Sequence, residues 1–156
     1  MAKTEVYETF VSWTGGHRGR LKLGNGPEMD FSAPPVSHGE AGVLTPEDAF
    51  VGAVNTCVML MFVWAAERLK LDLASYECRA EGTKLIELDR TETFTTVVLR
   101  PRIIVRAGDE EPVAIERRVR RALESARKYS LVANSVRSDI VIEPDVTVRS
   151  GSRGEA

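Results

Sequence analysis

The residue in this sequence best suited to covalent chemistry is Cys57, which lies in an uncharged stretch from Ala49 to Ala66. A cysteine reacts as its thiolate, and apolar surroundings keep the thiol protonated unless a cation stands beside it. Cys57 therefore needs a cationic neighbour if it is to react. Without one, it is a small apolar packing residue.

The candidate cations lie on the N-terminal strands. Arg18 is the first candidate, with Arg20 and His17 as alternatives. Glu47 could hold the arginine in place through a bidentate carboxylate pair. Glu47 and Cys57 are separated by ten residues, or about 15 Å along a helix, so they cannot share a site within one chain. If Glu47 serves Cys57, it does so across a subunit interface or through a long arginine side chain.

The remaining cysteine and histidines have simpler interpretations. Cys78 shares a predicted strand face with Tyr76, which is typical of a core residue. His17 and His38 have no metal-ligand spacing with each other or with the cysteines. We therefore expect no metal site and no cofactor.

The helix that must position Cys57 has a well-marked start. Thr45 can cap the first turn, Pro46 suits the first helical position, and acidic residues follow at the positive end of the helix dipole. Beyond that start, apolar residues cover every side of the 3.6-residue repeat. We expect this helix to be enclosed by protein, and in so short a chain the enclosure predicts a dimer.

The other segments predict an α+β fold with antiparallel sheets around this central helix. Strands are expected at 6–13, 18–23, 29–33, 75–88, 91–106 and 139–148. Pro101 favours an edge position or a bulge for its strand. A second, amphipathic helix starts at Pro112, and its apolar stripe consists of Ile115, Val119, Ala122, Leu123 and Ala126.

Length and composition predict one domain over residues 1–149, with a disordered tail at 150–156. A hydrophobic content of 43% supplies a core, and a net charge of −2 gives no attraction to nucleic acid or anionic membranes. The central helix reaches the lower limit for crossing a bilayer, but Asn55 and Thr56 dilute it and no second such stretch follows. We expect no membrane span and no signal peptide, and we place the protein in the reducing cytoplasm.

The segment from Gly42 to Cys57 resembles the helix start and peroxide-reacting cysteine of the OsmC/Ohr family of osmotically inducible and organic-hydroperoxide-resistance proteins. The segments Trp13–Gly16 and Tyr129–Ser135 are also similar to that family. The resemblance implies an interlocked α+β homodimer with two sites at the subunit interface. It also implies reduction of organic hydroperoxides, or of hydrogen peroxide, at the expense of an external thiol.

Two positions depart from the redox-active members of that family. Ser130 stands where those members have a second cysteine, and serine cannot form a disulfide. His17 stands where the peroxidase branch has an arginine directly after the paired glycines, with Arg18 following. The sequence therefore supports two hypotheses, a one-cysteine peroxidase that uses Cys57 and a catalytically silent dimer that binds a small hydrophobic ligand.

Overall fold

A computed structural model describes residues 1–150 of the chain. Within it the chain forms two compact units, Met1–Phe50 and the part from Val51 onwards. Apart from the exposed Ser150, the tail expected at 150–156 lies outside the described residues. The expectation of one domain over residues 1–149 stays a prediction.

The N-terminal unit contains a three-stranded antiparallel sheet in the order β1, β2, β3. Its strands are β1 (Thr9–Gly15), β2 (Arg18–Leu23) and β3 (Glu28–Ser32). The prediction for β2 is confirmed, whereas β1 begins and ends later than predicted because the turn falls at Gly16 and His17. A register shift between Trp13 and Gly15, with φ of 118° at Gly15, moves the turn along the chain.

The first helix, α1 (Pro46–Arg68), starts and ends as the local sequence dictates. The Asp48 N–H donates to Thr45 Oγ1 at 3.1 Å, so the predicted cap is formed. The helix ends where Lys70 adopts a left-handed φ of 55° and the Leu71 N–H donates to the Ala66 carbonyl at 2.9 Å. This arrangement satisfies carbonyls that a helix end otherwise leaves unpaired.

One side of α1 is buried and the opposite side is not. The buried side consists of Val54, Val58, Phe62, Ala65 and Ala66. On the other side Leu60 and Trp64 are 49% and 53% exposed, next to the exposed Ala53. The single chain therefore leaves one side of this helix uncovered, and its enclosure by a second copy stays a prediction. We call Ala53, Leu60 and Trp64 the open face of α1.

By length and composition alone, α1 is also apolar enough to cross a membrane, with a mean hydropathy of 1.9 over its most apolar window. Core helices of water-soluble proteins meet the same criterion. A single such helix is weak support for a membrane span.

The C-terminal unit is built on a four-stranded sheet. Its strands are β4 (Asp72–Ile86), β5 (Glu92–Arg106), β6 (Asp139–Ile142) and β7 (Asp145–Arg149). β4 and β5 form the predicted long hairpin, and β6 and β7 both pair with β5 in the parallel direction. The prediction of one strand over 139–148 was wrong, because Pro144 cannot donate to the ladder and the pairing is interrupted there.

The expectation that Pro101 marks an edge or a bulge was also wrong, because β5 is the central strand and its two register shifts lie elsewhere. β6 pairs with β5 up to Leu99, and β7 begins pairing at Arg102. The Leu99 carbonyl accepts from the Glu143 N–H at 2.8 Å, so the nitrogen of Pro101, two residues on, faces the same side. That nitrogen therefore faces the gap between β6 and β7, where the sheet needs no N–H donor.

Two further helices, α2 (Pro112–Tyr129) and α3 (Leu131–Ser135), follow the hairpin. The five residues predicted as the apolar stripe of α2 are its five buried residues, so this prediction is confirmed. α1 lies against β4, where the rings of Phe62 and Tyr76 are 5.3 Å apart between centroids and the Asn55 amide donates to the Cys78 carbonyl. Leu69, the residue that follows α1, accepts at its carbonyl from Arg118 of α2 at 2.9 Å.

Candidate active site

The thiol of Cys57 lies at the edge of the open face of α1. Residues three and four positions away are its neighbours on the helix surface. Among them Val54 is buried, Met61 is half-buried, and Ala53 and Leu60 are exposed. Cys57 itself is half-buried and free. Its sulfur is therefore packed on one side and open to a reactant or a covering surface on the other.

Ser130 lies directly against this thiol. Its Oγ donates to Cys57 Sγ at 3.1 Å, although the two residues are 73 positions apart in sequence. Ser130 is fully buried at the junction between α2 and α3. The structure thus brings together two of the four predicted site residues.

The junction holds Ser130 through its backbone and its side chain. The Ser130 N–H donates to the Ala126 carbonyl and its carbonyl accepts from the Asn134 N–H, each at 3.0 Å. Its Oγ caps α3 by accepting from the Ala133 N–H at 3.2 Å. An oxygen in this position can form hydrogen bonds to sulfur but no disulfide.

The predicted cations are paired with other groups in the N-terminal unit. Arg18 Nη1 lies 2.9 Å from Glu40 Oε2, so its carboxylate partner is Glu40 and the predicted pair with Glu47 is not present in the described chain. Arg20 pairs with Asp30 at 3.0 Å, which raises the pKa of its guanidinium. The ring of His17 contacts that of His38 with centroids 6.2 Å apart.

Glu47 lies in the first turn of α1, where its carboxylate faces the positive end of the helix dipole. Its Oε2 is buried and has no hydrogen-bond partner among the described residues. A buried carboxylate oxygen without a partner carries a desolvation cost, which a cation or donor from outside the described chain would offset. Since α1 is unbroken from Pro46 to Arg68, the separation of ten residues between Glu47 and Cys57 remains a helical one.

Cys78 lines a small cavity that the sequence did not predict. The cavity measures about 120 Å³ and is lined by Asn55, Thr56, Met59, Tyr76 and Cys78. Burial raises the pKa of the Cys78 thiol, and it also raises the pKa of the Tyr76 hydroxyl, which interacts with that thiol. Cys57 does not line this cavity. A signal was present in the sequence, since Asn55 and Thr56 are polar residues inside an apolar helix.

A larger groove lies between α1 and α2, one turn beyond Cys57. It measures about 520 Å³ and is lined by Met61, Ala65, Arg68, Leu69, Arg121, Ser125 and Tyr129. Met61 follows Cys57 by one helical turn and Tyr129 precedes Ser130, so this groove begins beside the pair of Cys57 and Ser130. Its apolar residues offer contact area for the organic part of a ligand.

Metal chemistry has no support in the described residues. Within 1–150, no three His, Cys, Asp or Glu side chains come close enough together to hold a metal ion. The chemistry available beside Cys57 is that of a thiol and a hydroxyl.

Comparisons with known proteins match these features to one family. The sequence model of the family described as OsmC-like protein matches residues 39–145, which include Cys57 and Ser130. No curated protein sequence matches the chain.

Solved structures share the fold. An OsmC-like protein of unknown function from Vibrio cholerae is 24% identical with a TM-score of 0.80, covering 91% of this chain and 100% of that one. An organic hydroperoxide resistance protein from Elizabethkingia anophelis is 17% identical with a TM-score of 0.69, covering 96% and 100%. One from Bacillus subtilis is 13% identical with a TM-score of 0.63, covering 92% and 98%. These similarities confirm the predicted α+β fold.

Proposed function

Because this chain belongs to the OsmC-like protein family, we propose that it reduces organic hydroperoxides or hydrogen peroxide with Cys57 as the reacting thiol. The observation that carries the proposal is the contact between Cys57 Sγ and Ser130 Oγ, which puts a hydroxyl donor against a half-buried sulfur. Two of the structural neighbours are organic hydroperoxide resistance proteins, which supports the same chemistry.

The reaction balances with one peroxide and two thiols. The Cys57 thiolate attacks the terminal oxygen of the hydroperoxide, an S–O bond forms, the O–O bond breaks, and the alkoxide takes a proton and leaves as an alcohol. Cys57 is then a sulfenic acid. An external thiol condenses with it, releasing water and leaving a mixed disulfide. A second thiol attacks the sulfur of the first, which releases their disulfide and restores the Cys57 thiolate.

The need for an external thiol follows from the residues around Cys57. Ser130 Oγ lies 3.1 Å from the sulfur and cannot trap the sulfenic acid. Cys78, the other cysteine of the chain, lines a cavity that does not include Cys57. The groove that begins at Met61 and Tyr129 is a suitable place for the organic part of the peroxide.

The proposal includes a homodimer in the cytoplasm, without nucleic-acid or membrane partners. The open face of α1 borders Cys57, so a second copy that covers this face would close the site and exclude water from it. Glu47 and Arg18 are proposed to act on Cys57 of the other copy, since helix geometry separates Glu47 and Cys57 within one chain. The buried Glu47 oxygen without a partner supports this role.

A second candidate function is a catalytically silent dimer that binds a small hydrophobic ligand. The observation that favours it is Ser130, because a hydroxyl stands against Cys57 where a two-cysteine cycle needs a thiol. Under that alternative, the groove between α1 and α2 holds a ligand and Cys57 is a packing residue. The two candidates differ in whether peroxide changes the mass of the protein.

Intact-mass spectrometry after one equivalent of peroxide tests the proposal. We expect the mass of one added oxygen atom on Cys57, a mixed disulfide when a small thiol is supplied, and sulfinic acid under excess peroxide. An unchanged mass would support the silent dimer. A quantitative disulfide between Cys57 and Cys78 would refute the one-cysteine cycle.

The variant Ser130→Cys should convert the cycle to an internal one. Because the Ser130 oxygen is 3.1 Å from Cys57 Sγ, a sulfur in its place can reach bonding distance with a small side-chain rotation. We expect one equivalent of peroxide to give a loss of two hydrogen atoms in mass and protection from sulfinic acid. The matched control is Ser135→Cys on the exposed side of α3, which should keep the wild-type product. Sulfenic acid in Ser130→Cys without a disulfide would contradict the proposed site.

A further inference from the structure

Among residues 1–150, the Ser130 hydroxyl donates its proton to the sulfur of Cys57 and to no other acceptor. We propose that Ser130 is a catalytic hydrogen-bond donor that stabilises the Cys57 thiolate. Ser130 then activates Cys57 and takes no part in trapping its oxidised form. The catalytic meaning of this inference rests on the proposed function, but the hydrogen bond itself does not.

The argument starts with the hydrogen-bonding capacity of the hydroxyl, which has one proton and two acceptor lone pairs. The Ala133 N–H donates to Ser130 Oγ at 3.2 Å, which occupies one lone pair. The proton is directed to Cys57 Sγ at 3.1 Å, and within residues 1–150 the hydroxyl donates to no other acceptor. The two interactions therefore use different parts of the same group.

The position of this hydroxyl is fixed before any reactant arrives. The Ser130 N–H donates to the Ala126 carbonyl at the end of α2, and the Ser130 carbonyl accepts from the Asn134 N–H in α3. The residue is fully buried, so water cannot compete for its proton. A donor held in place in a water-excluded environment costs little reorganisation when charge develops on the sulfur.

Helix capping alone does not account for this arrangement. A cap requires only that Ser130 Oγ accepts from the Ala133 N–H, and it leaves the hydroxyl proton unused. The contact with sulfur uses that proton. A hydrogen bond donated to the charged form of an acid favours that form, so the contact favours the thiolate over the thiol. Because the thiolate is the form that attacks, the donor increases the reactive fraction of Cys57.

The test is the pH dependence of iodoacetamide alkylation of Cys57, measured on the full chain in a Cys78→Ser background. Ser130→Ala should lower the alkylation rate at pH 7 about tenfold, the effect of losing one hydrogen bond to a charged group. The difference between the two proteins should shrink at high pH, where both react as the thiolate. Ser130→Thr keeps the hydroxyl and should restore the rate to within about twofold of Ser130.

The control for a disturbed α3 is Ser135→Ala, which removes the hydroxyl that donates to the Leu131 carbonyl at 2.7 Å. It should leave the pH profile unchanged. If Ser130→Ala does not fold, Ser130→Gly removes the same hydroxyl and costs less capping free energy than alanine does. Circular dichroism identifies the folded variants.

An unchanged profile in folded Ser130→Ala or Ser130→Gly would overturn the proposal, and so would an equal shift in Ser135→Ala. Alkylation consumes no peroxide, so the result is independent of the proposed function. A shifted profile in a protein that consumes no peroxide would retain the donor and reject the peroxidase. A protein that consumes peroxide but shows an unshifted profile would retain the peroxidase and reject the donor.

Discussion

Replacing Cys57 with serine should reduce the rate of peroxide consumption by about 10³-fold or more, to the background of the uncatalysed thiol reaction. The reason is that the sulfur forms the bond to peroxide oxygen, and a serine hydroxyl at the same position has no comparable nucleophilicity near neutral pH. Steady-state consumption of cumene hydroperoxide with an excess of small thiol measures the effect.

The matched control is Cys78→Ser, which should retain most of the activity. Burial raises the pKa of the Cys78 thiol, so that thiol stays protonated near neutral pH and is a poor nucleophile. If Cys78→Ser abolished activity while Cys57→Ser kept it, the reacting cysteine would be Cys78 on β4 and not Cys57. Loss of activity in both variants would instead indicate a cycle that passes through both sulfurs.

A charge on the open face of α1 should separate the proposed dimer into monomers. Light scattering of the wild type is expected to give about twice the chain mass of 17.2 kDa. Trp64→Glu places a carboxylate on a side chain that is 53% exposed in the single chain, so it leaves the monomer core intact but would be buried in the dimer without a partner. We expect the variant to elute as a folded monomer at micromolar concentration and to lose peroxidase activity.

Leu88→Glu is the control for added negative charge, because Leu88 is fully exposed in the turn between β4 and β5. It should remain dimeric and active. A wild-type protein that is a stable monomer at micromolar concentration would reject the dimer. It would also remove the proposed role of Glu47 and Arg18 across the interface.

The local sequence correctly predicted the elements that bury one side and expose the other, because burial of one side sets a regular hydrophobic pattern. All five buried residues of α2 were identified from a 3.6-residue repeat, and the Thr45 cap was identified from its residue type and position. The pattern failed at β5, where Pro101 indicated an edge although the strand is central. The break between β6 and β7 that accommodates this proline is a tertiary feature, so no local rule includes it.

The sequence offered candidate residues for the site but few of their contacts. Cys57 and Ser130 were identified through family resemblance, since a contact across 73 positions has no signature in periodicity or capping. The carboxylate partner of Arg18 was missed because Glu40 lies in a loop, where the sequence gives no register for pairing. The cavity around Cys78 was missed because the partner of Asn55 is a backbone carbonyl on another element.

The central claim is that Cys57 reacts with peroxide, and a stopped-flow thiol titration with cumene hydroperoxide tests it most directly. Fully reduced protein is mixed with excess peroxide, and the free thiols that remain are counted over time. The account predicts that one of the two thiols per chain disappears in a fast phase, and that this phase is absent in Cys57→Ser and present in Cys78→Ser. Loss of thiol no faster than that of free cysteine under the same conditions would contradict it.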